Sequence, residues 1–341
     1  MSEVEFNWPI IGHKNIISYL QGNIVVDKVS HAYLFLGPDH IGKTTLAKYF
    51  VNSLVCENLN HKDCAIPCGQ CKCCQQVINK IHPDIVWVER EVDEKNGKLR
   101  KNISIEQIRE LQNRLSLHSF LNSFKIAVIN EAEHLSKEAA NSLLKVLEEP
   151  TPKTVLILLT NSISAMPRTV ISRCQVIKFL PVSEVEIINY LAKEGLTKKK
   201  AKVLAALAYG RPGLAINYLN EPENLEEYRQ KIKDFFLLHQ NDITNRLKST
   251  QSFSDFSSIS LAEENLSVWT KILRDLMLIN NSSSNFVGHL NFEAELKQLA
   301  NLYSNKKLVE ILDNINMAKT YLRANVNPRL TLENLILNLP R

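Results

Sequence analysis

Four short, continuously apolar segments recur along the first half of the chain, separated by stretches with the apolar spacing of helices. The segments are residues 33–36, 85–88, 126–129 and 155–159. Strands that are buried on both faces read as continuous apolar runs, and strands that alternate with helices form parallel sheets. The pattern therefore predicts an α/β domain in which helices cover both faces of a parallel sheet.

Capping residues mark where several helices begin. Ser104 and Ser183 each start a capping-box pattern, which predicts helices over 105–117 and from Ser183 to Gly195. Thr197 can cap a further helix over 198–209. The lysines at 198–200 are interpreted as the solvated start of that helix.

No strand-like pattern follows residue 179. Helical spacing covers the rest of the chain apart from a linker-like segment at 220–224 and a polar loop at 280–285. A length of 341 residues corresponds to two or three domains. We therefore predict an α/β domain over 1–180, a small helical domain over 181–220 and a larger helical domain over 221–341.

Composition places the chain among ordinary globular proteins. It is 45% hydrophobic and 23% charged, which excludes collagen-like, coiled-coil and disordered classes. The net charge of +5 permits contact with nucleic acid without requiring it. No apolar run reaches the length of a membrane span, and residues 1–5 lack the basic and then apolar order of a secretory signal. We expect a cytoplasmic protein.

A phosphate-binding motif follows the first predicted strand. Residues 37–44 read Gly-Pro-Asp-His-Ile-Gly-Lys-Thr, which fits G-x-x-x-x-G-K-[ST] before a helix predicted over 43–55. Backbone N–H groups and the positive helix end can bind phosphate, Lys43 can neutralise β/γ charge and Thr44 can hold Mg²⁺. ATP with Mg²⁺ is the expected ligand, and the alternative is a chance match on a polar turn.

The metal-handling pair of a P-loop ATPase is altered in this sequence. Asn130 and Glu131 follow the apolar run at 126–129, and Asn130 stands where an Asp normally organises Mg²⁺. A neutral amide replaces a carboxylate poorly beside a divalent ion, whereas Glu131 can orient a water. We therefore expect a weak Mg²⁺ site and weak or absent ATPase activity.

A polar residue also closes the next strand, where Asn161 can contact the γ-phosphate. The candidate nucleotide-binding residues are Gly37, Asp39, His40, Ile41, Gly42, Lys43, Thr44, Thr45, Asn130 and Asn161.

Six of the seven cysteines lie between Cys56 and Cys74. Cys68, Cys71 and Cys74 form a C-x₂-C-x₂-C pattern, and in a reducing compartment such crowding indicates metal rather than disulfides. Three thiolates can bind one tetrahedral Zn²⁺ if Cys56 or Cys64 supplies a fourth. The alternative is a set of unligated thiols. A closed site of this kind is structural.

Motifs over most of the chain occur at 10–13, 31–38, 82–84, 130–150, 172–174 and 325–334. The block at 130–150, which begins Asn-Glu-Ala-Glu-His-Leu-Ser, is the most specific. Together these motifs resemble the clamp-loader branch of the AAA+ proteins, and within it the delta-prime subunits of bacterial DNA polymerase III.

The resemblance implies a hetero-pentamer with tau/gamma and delta subunits that uses ATP to load a sliding clamp onto primed DNA during replication. The three predicted domains would be an AAA+ nucleotide-binding domain, a lid and an oligomerising collar. Ser172-Arg173-Cys174 resembles the arginine-finger motif, which implies that Arg173 acts on nucleotide bound to a neighbouring subunit. The family pattern favours Cys56 as the fourth zinc ligand, within an insertion at about 56–74.

Two departures bear on the kind of subunit. The resemblance implies that tau/gamma subunits, which hydrolyse ATP, carry an Asp-Glu pair and a second-sensor arginine, whereas this chain has Asn130 and Gly213. A delta-prime-like subunit is therefore expected, and a tau/gamma-like ATPase is the alternative. A plain DNA-binding module is a third, weaker hypothesis, since no reader motif is present. No polymerase active site is visible, so nucleotidyltransferase activity would belong to the assembled DNA-directed DNA polymerase.

Overall fold

A computed structural model describes residues 4–59, 64–93, 97, 99–117, 124–253 and 259–339. Residues 1–3 of the segment interpreted as lacking a secretory signal, and residues 60–63 of the predicted zinc insertion, lie outside these ranges. The chain divides into two compact units. The first comprises Met1–Glu186 with Arg211–Gly213, and the second comprises Ile187–Gly210 with Leu214–Arg341. The predicted boundary between lid and collar, near residue 220, falls inside the second unit and stays a prediction.

A five-stranded parallel sheet forms the centre of the first unit. The strands are β1 (Ala32–Leu36), β2 (Ile85–Val88), β3 (Lys125–Ile129), β4 (Thr154–Thr160) and β5 (Gln175–Lys178). Their order is β2-β3-β4-β1-β5. The four apolar runs of the sequence are confirmed as β1 to β4. Strand β5 is not marked by such a run, because its two end residues, Gln175 and Lys178, are polar and exposed and only Ile177 is buried.

Helices cover both faces of the sheet, which confirms the predicted α/β class. They are α1 (Lys14–Val25), α2 (Lys43–Val55), α3 (Lys72–Ile78), α4 (Ile105–Ser116), α5 (Lys137–Glu148) and α6 (Arg168–Ile171). One core lies around Tyr33 and Phe50, and the other lies around Leu34 and Leu143. The capping box at Ser104 is confirmed, because its hydroxyl accepts from the Gln107 N–H and the Gln107 side chain accepts from the Ser104 N–H.

The second unit is helical throughout its described residues, apart from turns and connecting loops. Its helices are α7 (Glu184–Lys193, which begins in the first unit), α8 (Lys198–Ala208), α9 (Pro212–Asn220, whose first two residues belong to the first unit), α10 (Pro222–Gln240), α11 (Ile243–Phe253), α12 (Ile259–Asn280), α13 (Glu293–Ala300), α14 (Asn305–Arg323) and α15 (Pro328–Leu337). The linker predicted at 220–224 is wrong. Only Glu221 separates α9 from α10, because Pro222 fits the first helical turn, where no backbone donor is needed. Among the described residues, no helix combines the length and apolar content of a membrane span.

A buried polar network lies inside the second unit. The Asp275 carboxylate is fully buried and accepts from His289 Nδ1 at 2.7 Å and from the backbone N–H groups of Gly288 and His289. The hydroxyl of Tyr209, which caps α8, donates to the same carboxylate at 3.3 Å. Because each buried polar group finds a partner, this network ties the end of α8 to α12.

A buried histidine in the second unit should make stability depend on pH. His239 donates from Nδ1 to the Phe235 carbonyl oxygen, and burial lowers its pKa to about 4. An unfolded histidine takes up a proton near pH 6.5, so the free energy of unfolding falls as the pH drops from about 6.5 towards 4. We expect His239→Gln to remove up to about 2.4 kcal/mol of that loss, measured by urea unfolding at pH 7 and pH 4.5. The exposed His31, replaced likewise, should leave the loss unchanged. An unaltered pH dependence in His239→Gln would contradict the assignment.

Candidate functional site

The P-loop lies at the carboxyl end of β1, between that strand and α2. His40 and Gly42 have φ angles of 63° and 111°, and the value at Gly42, directly before α2, strains any residue with a side chain. Lys43, Thr44 and Thr45 form the first turn of α2. The strand and helix predicted on either side of the motif are therefore confirmed, and the N-terminal end of α2 meets the edge of the sheet where parallel sheets bind ligands.

Lys43 is folded onto the loop that precedes it. Its Nζ donates to the carbonyl oxygen of Gly37 at 2.5 Å and of Pro38 at 2.9 Å, and its side chain is only 8% exposed. Burial lowers the pKa of Lys43, whereas the carboxylates of Asp39 and Glu133 act in the opposite direction. The ammonium therefore lies beside the loop, where it can exchange carbonyl oxygens for phosphate oxygens.

Two groups outside the motif fix the backbone of the loop. His13 Nε2 donates to the Ile41 carbonyl oxygen at 2.9 Å, and the Gly213 N–H donates to the His40 carbonyl oxygen at 2.9 Å. A Cβ atom on Gly213 would lie 2.8 Å from that same oxygen. The position at which the resemblance expects an arginine thus has no room for a side chain while the loop keeps this conformation.

Asn130 and Glu131 directly follow β3, as predicted. Arg90, two residues beyond the end of the adjacent β2, donates from Nε to Glu131 Oε2 at 2.6 Å. Asn130 Nδ2 lies 3.5 Å from Glu89 Oε1, an acceptor on the β2 side. A carboxylate held in an ion pair is a poorer acceptor for a water proton, so this arrangement opposes a role of Glu131 as a base.

Asn161 lies beside the P-loop. It directly follows β4, and its Nδ2 donates to Asp39 Oδ2 at 3.3 Å. Because β4 pairs with β1, the ends of the two strands meet at the same edge of the sheet. The structure therefore brings Asn161 to the loop residues named from the sequence.

Arg173 lies apart from the loop, between α6 and β5. Its Nη2 forms a 2.7 Å ion pair with Glu148 Oε1, and its Nη1 donates to the Thr169 carbonyl oxygen at 2.9 Å. The side chain remains 36% exposed. The ion pair and the hydrogen bond within the chain fix the orientation of the Arg173 guanidinium, and its exposed part is accessible to another molecule.

Four of the clustered cysteines meet at one point. The Sγ atoms of Cys56, Cys68, Cys71 and Cys74 all lie within 4.8 Å of one another. Cys56 directly follows α2, and the other three lie in the turn before α3 and in its first residues. Of the two fourth ligands that the sequence leaves open, the structure gathers Cys56 with the other three.

The geometry of this cluster fits zinc. Four sulfurs bound at about 2.3 Å to one tetrahedral ion stand about 3.8 Å apart, and Cys68 Sγ is 3.9 Å from Cys74 Sγ. Backbone N–H groups donate to the sulfurs of Cys68 and Cys71 at 3.4 and 3.3 Å, as they would to thiolates. Hydrogen bonding by the Cys74 thiol lowers the pKa of Cys56 to about 5. The same hydrogen bond raises the pKa of Cys74, so the thiolate of this pair, the form that binds metals, lies on Cys56.

The remaining cysteines of the cluster play other parts. Cys73 is buried and donates to Glu57 Oε1 at 3.4 Å, and burial raises its pKa to about 11. Cys64 is half-buried and does not belong to the four-sulfur group found among the described residues. Both are therefore matched controls for the four candidate ligands.

Sequence reasoning did not single out Arg90, Glu133 or His13 as parts of the site. Arg90 belongs to no sequence motif. It could have been found only from the order of the strands, since β2 and β3 are neighbours whose ends meet. Glu133 lies within the block at 130–150 but has no role in the P-loop pattern. His13 lies in the first motif, and only the fold brings its ring to the Ile41 carbonyl oxygen.

The chain is similar in sequence to subunits of DNA polymerase III. A sequence model of the family described as "DNA polymerase III, delta subunit" matches residues 12–183. The delta' subunit of DNA polymerase III from Bacillus subtilis is 27% identical over 325 residues, 95% of each chain. The gamma subunit from Buchnera aphidicola (Acyrthosiphon pisum) is 32% identical over 66% of this chain, and the tau subunit from B. subtilis is 29% identical over 67%.

The extent of the match differs among these relatives. This chain spans 61% of the Buchnera gamma subunit and 40% of the B. subtilis tau subunit. Among solved structures, a gamma subunit-related protein of DNA polymerase III from Thermotoga maritima is 17% identical, with a TM-score of 0.47 over 93% of this chain and 97% of that one. The family match covers half of the chain, from the motif at 10–13 through the P-loop to the end of the sheet. The chain belongs to the DNA polymerase III delta-subunit family, among the clamp-loader subunits that its motifs resemble.

Proposed function

We propose that this protein is a delta-prime-like subunit of the DNA polymerase III clamp loader. It binds ATP with little or no hydrolysis of its own and supplies Arg173 to the nucleotide site of a neighbouring subunit. Similarity to the B. subtilis delta' subunit extends over 95% of both chains, and similarity to one gamma subunit covers 91% of this chain and 78% of that protein. The delta-prime assignment is therefore supported by Asn130 and Gly213, which stand where the resemblance implies that tau/gamma subunits carry an Asp and an arginine.

The observation that carries the proposal is the ion pair between Arg90 and Glu131. Hydrolysis needs a Mg²⁺ ion and an acceptor that orients the attacking water. Here the acceptor, Glu131, is held by Arg90 at 2.6 Å, and the neighbouring position is the neutral Asn130. Phosphate binding uses the backbone N–H groups of the loop and Lys43, so it does not depend on either residue.

The same site supports binding of ATP. Gly37, Asp39, His40, Ile41 and Gly42 belong to the loop that would surround the phosphates, and Lys43 lies beside it. Thr44 would hold Mg²⁺ weakly, Thr45 extends the helix start, and Asn161 would reach the γ-phosphate. The bound Mg²⁺ would neutralise phosphate charge.

We also propose Zn²⁺ as the ion of the four-cysteine cluster, with a structural role. It would fasten the end of α2 to α3 and hold the insertion at about 56–74. No ligand position is left open for chemistry once all four sulfurs bind.

The domain roles and partners follow from the same assignment. We propose nucleotide binding by residues 1–180, a lid at 181–220 and a collar at 221–341 that joins tau/gamma and delta subunits in a hetero-pentamer. The complex would place the sliding clamp on primed DNA in the cytoplasm, and the polymerase chemistry would reside in other subunits.

The test combines nucleotide binding, turnover and assembly. We expect the purified chain to bind a fluorescent ATP analogue, and Lys43→Ala to weaken binding by about tenfold to a hundredfold, because hydrogen bonds to charged groups contribute about 1.5–3 kcal/mol. The exposed Lys48, one turn further along α2, is the matched control and should tolerate alanine. Turnover should be negligible alone and should rise on assembly with tau/gamma and delta subunits.

Three results would count against the proposal. Rapid ATP turnover by the isolated chain would favour a tau/gamma-like ATPase. Failure to assemble with tau/gamma and delta subunits would contradict the clamp-loader role. Equal loss of nucleotide binding in Lys43→Ala and Lys48→Ala would contradict the P-loop assignment.

A further inference from the structure

A cleft of about 580 Å³ lies within the second unit, between α8, α9 and α10. Its apolar floor includes Leu196, Val203, Leu204, Leu219 and Leu225. Its rim carries three cations, Lys199, Lys200 and Arg229. We call this feature the basic cleft. It belongs to the helical unit and is separate from both the P-loop and the cysteine cluster.

The lysines at the rim lie at a helix start, where positive charge is electrostatically unfavourable. Lys198, Lys199 and Lys200 form the first turn of α8, which contains no acidic residue. The N-terminal end of a helix carries positive partial charge, so it favours acidic side chains and disfavours lysines. All three lysines are exposed, and within the described part of the chain none of them forms an ion pair. Arg229 is partly neutralised by Glu226 at 3.3 Å.

The apolar floor of the basic cleft favours a peptide over a nucleic acid as its ligand. Of the residues that line the cleft, Val203 and Leu219 are half-buried, whereas Leu204 and Tyr218 are buried. A nucleic-acid backbone is bound by charge and would leave this apolar floor unused. A peptide with both carboxylates and apolar side chains would use the lysines and the floor together. The charge and the apolar lining are therefore complementary to the same ligand.

We propose that the basic cleft binds an acidic peptide segment of another protein, with its apolar side chains on the floor and its carboxylates at Lys199 and Lys200. This interaction is independent of nucleotide binding and of Arg173. The lysines at 198–200, which were interpreted from the sequence as a solvated helix start, would then take part in peptide recognition.

Fluorescence polarisation with the full-length protein tests this proposal. The probe is a short fluorescein-labelled peptide that alternates Asp with Leu and Phe. One comparison peptide replaces Asp with Asn, and a second replaces Leu and Phe with Ser. We expect the first peptide to bind at least tenfold more tightly than either comparison peptide, because each of these lacks one half of the complementary features.

Substitutions in the protein locate the binding. Lys199→Glu with Lys200→Glu should weaken binding about tenfold or more, and Val203→Ser should weaken it without any change in charge. Lys306 and Lys307 are the matched control, because they also lie in the first turn of a helix, α14, that a Ser hydroxyl caps. Their replacement by Glu should leave binding unchanged.

Several outcomes would overturn the proposal. One is equal loss of binding with both lysine pairs. Another is no binding of the alternating peptide. A third is single-stranded DNA that binds through Lys199 and Lys200 with no effect of Val203→Ser, which would assign the lysines to phosphate contacts.

Discussion

Replacement of Arg173 by alanine is expected to lower ATP turnover at the neighbouring nucleotide site of the assembled clamp loader by about three orders of magnitude. A guanidinium that neutralises charge on the transferring phosphoryl group contributes roughly 10³–10⁵ in rate when supplied by a neighbouring molecule. Arg173 is exposed enough to reach a neighbour and is oriented by Glu148 and the Thr169 carbonyl oxygen. Steady-state turnover by the complex, with clamp and primed DNA present, measures the effect.

The design includes two controls. Arg168 is an exposed arginine on the adjacent α6, so Arg168→Ala should leave turnover nearly unchanged. Assembly of the Arg173→Ala complex, followed by size-exclusion chromatography, should match that of the unmodified complex. Normal turnover in an assembled Arg173→Ala complex would show that Arg173 does not act at the catalytic site. Failure of that complex to assemble would assign Arg173 to subunit contact instead.

Loss of one zinc ligand is the second large expected effect. We expect Cys68→Ser to abolish stoichiometric zinc and to lower the free energy of unfolding of the first unit by more than about 4 kcal/mol, because removal of a bound metal is among the few changes that cost so much. Without the ion, the end of α2 and the start of α3 lose their common anchor at Cys56 and Cys74. Metal content by colorimetric release and thermal unfolding report the two consequences.

Cys64 and Cys73 serve as controls because each belongs to the same crowded segment but not to the four-sulfur group. Cys64→Ser should retain one zinc per chain and unchanged stability. Cys73→Ser should also retain zinc, with a modest loss of stability from its buried contact with Glu57. Retention of zinc in Cys68→Ser, or loss of zinc in Cys64→Ser, would show that the ligand set is wrong.

Much of the first unit could be predicted from its sequence because local and global preferences agree there. The runs that form β1 to β4 are apolar throughout, and Ser104 provides a cap where a helix begins. Strand β5 was not predicted because polar, exposed residues occupy both of its ends and leave only two apolar residues between them. The start of α10 directly after Glu221 was not predicted, because the same polar residues are typical of a linker and of the first turn of a helix.

Only part of the candidate site could likewise be predicted from the sequence. Residues that share one contiguous motif, such as Gly42 and Lys43, are visible from spacing alone. Arg90 is not, because its relation to Glu131 exists only once two strands that are distant in sequence become neighbours. The hypothesis that Glu131 orients a water stays a prediction, and the ion pair with Arg90 now weighs against it.

Gly213 constrains how this chain could evolve into a motor. Its N–H contacts the His40 carbonyl oxygen at 2.9 Å, and the smallest side chain would collide with that oxygen. An arginine gained there would first displace the loop backbone on which Lys43 depends, so the substitution would reduce nucleotide affinity before it could assist hydrolysis. Gain of an arginine at this position would therefore require a compensating change in the loop beforehand, so Gly213 and the conformation of the P-loop backbone constrain each other.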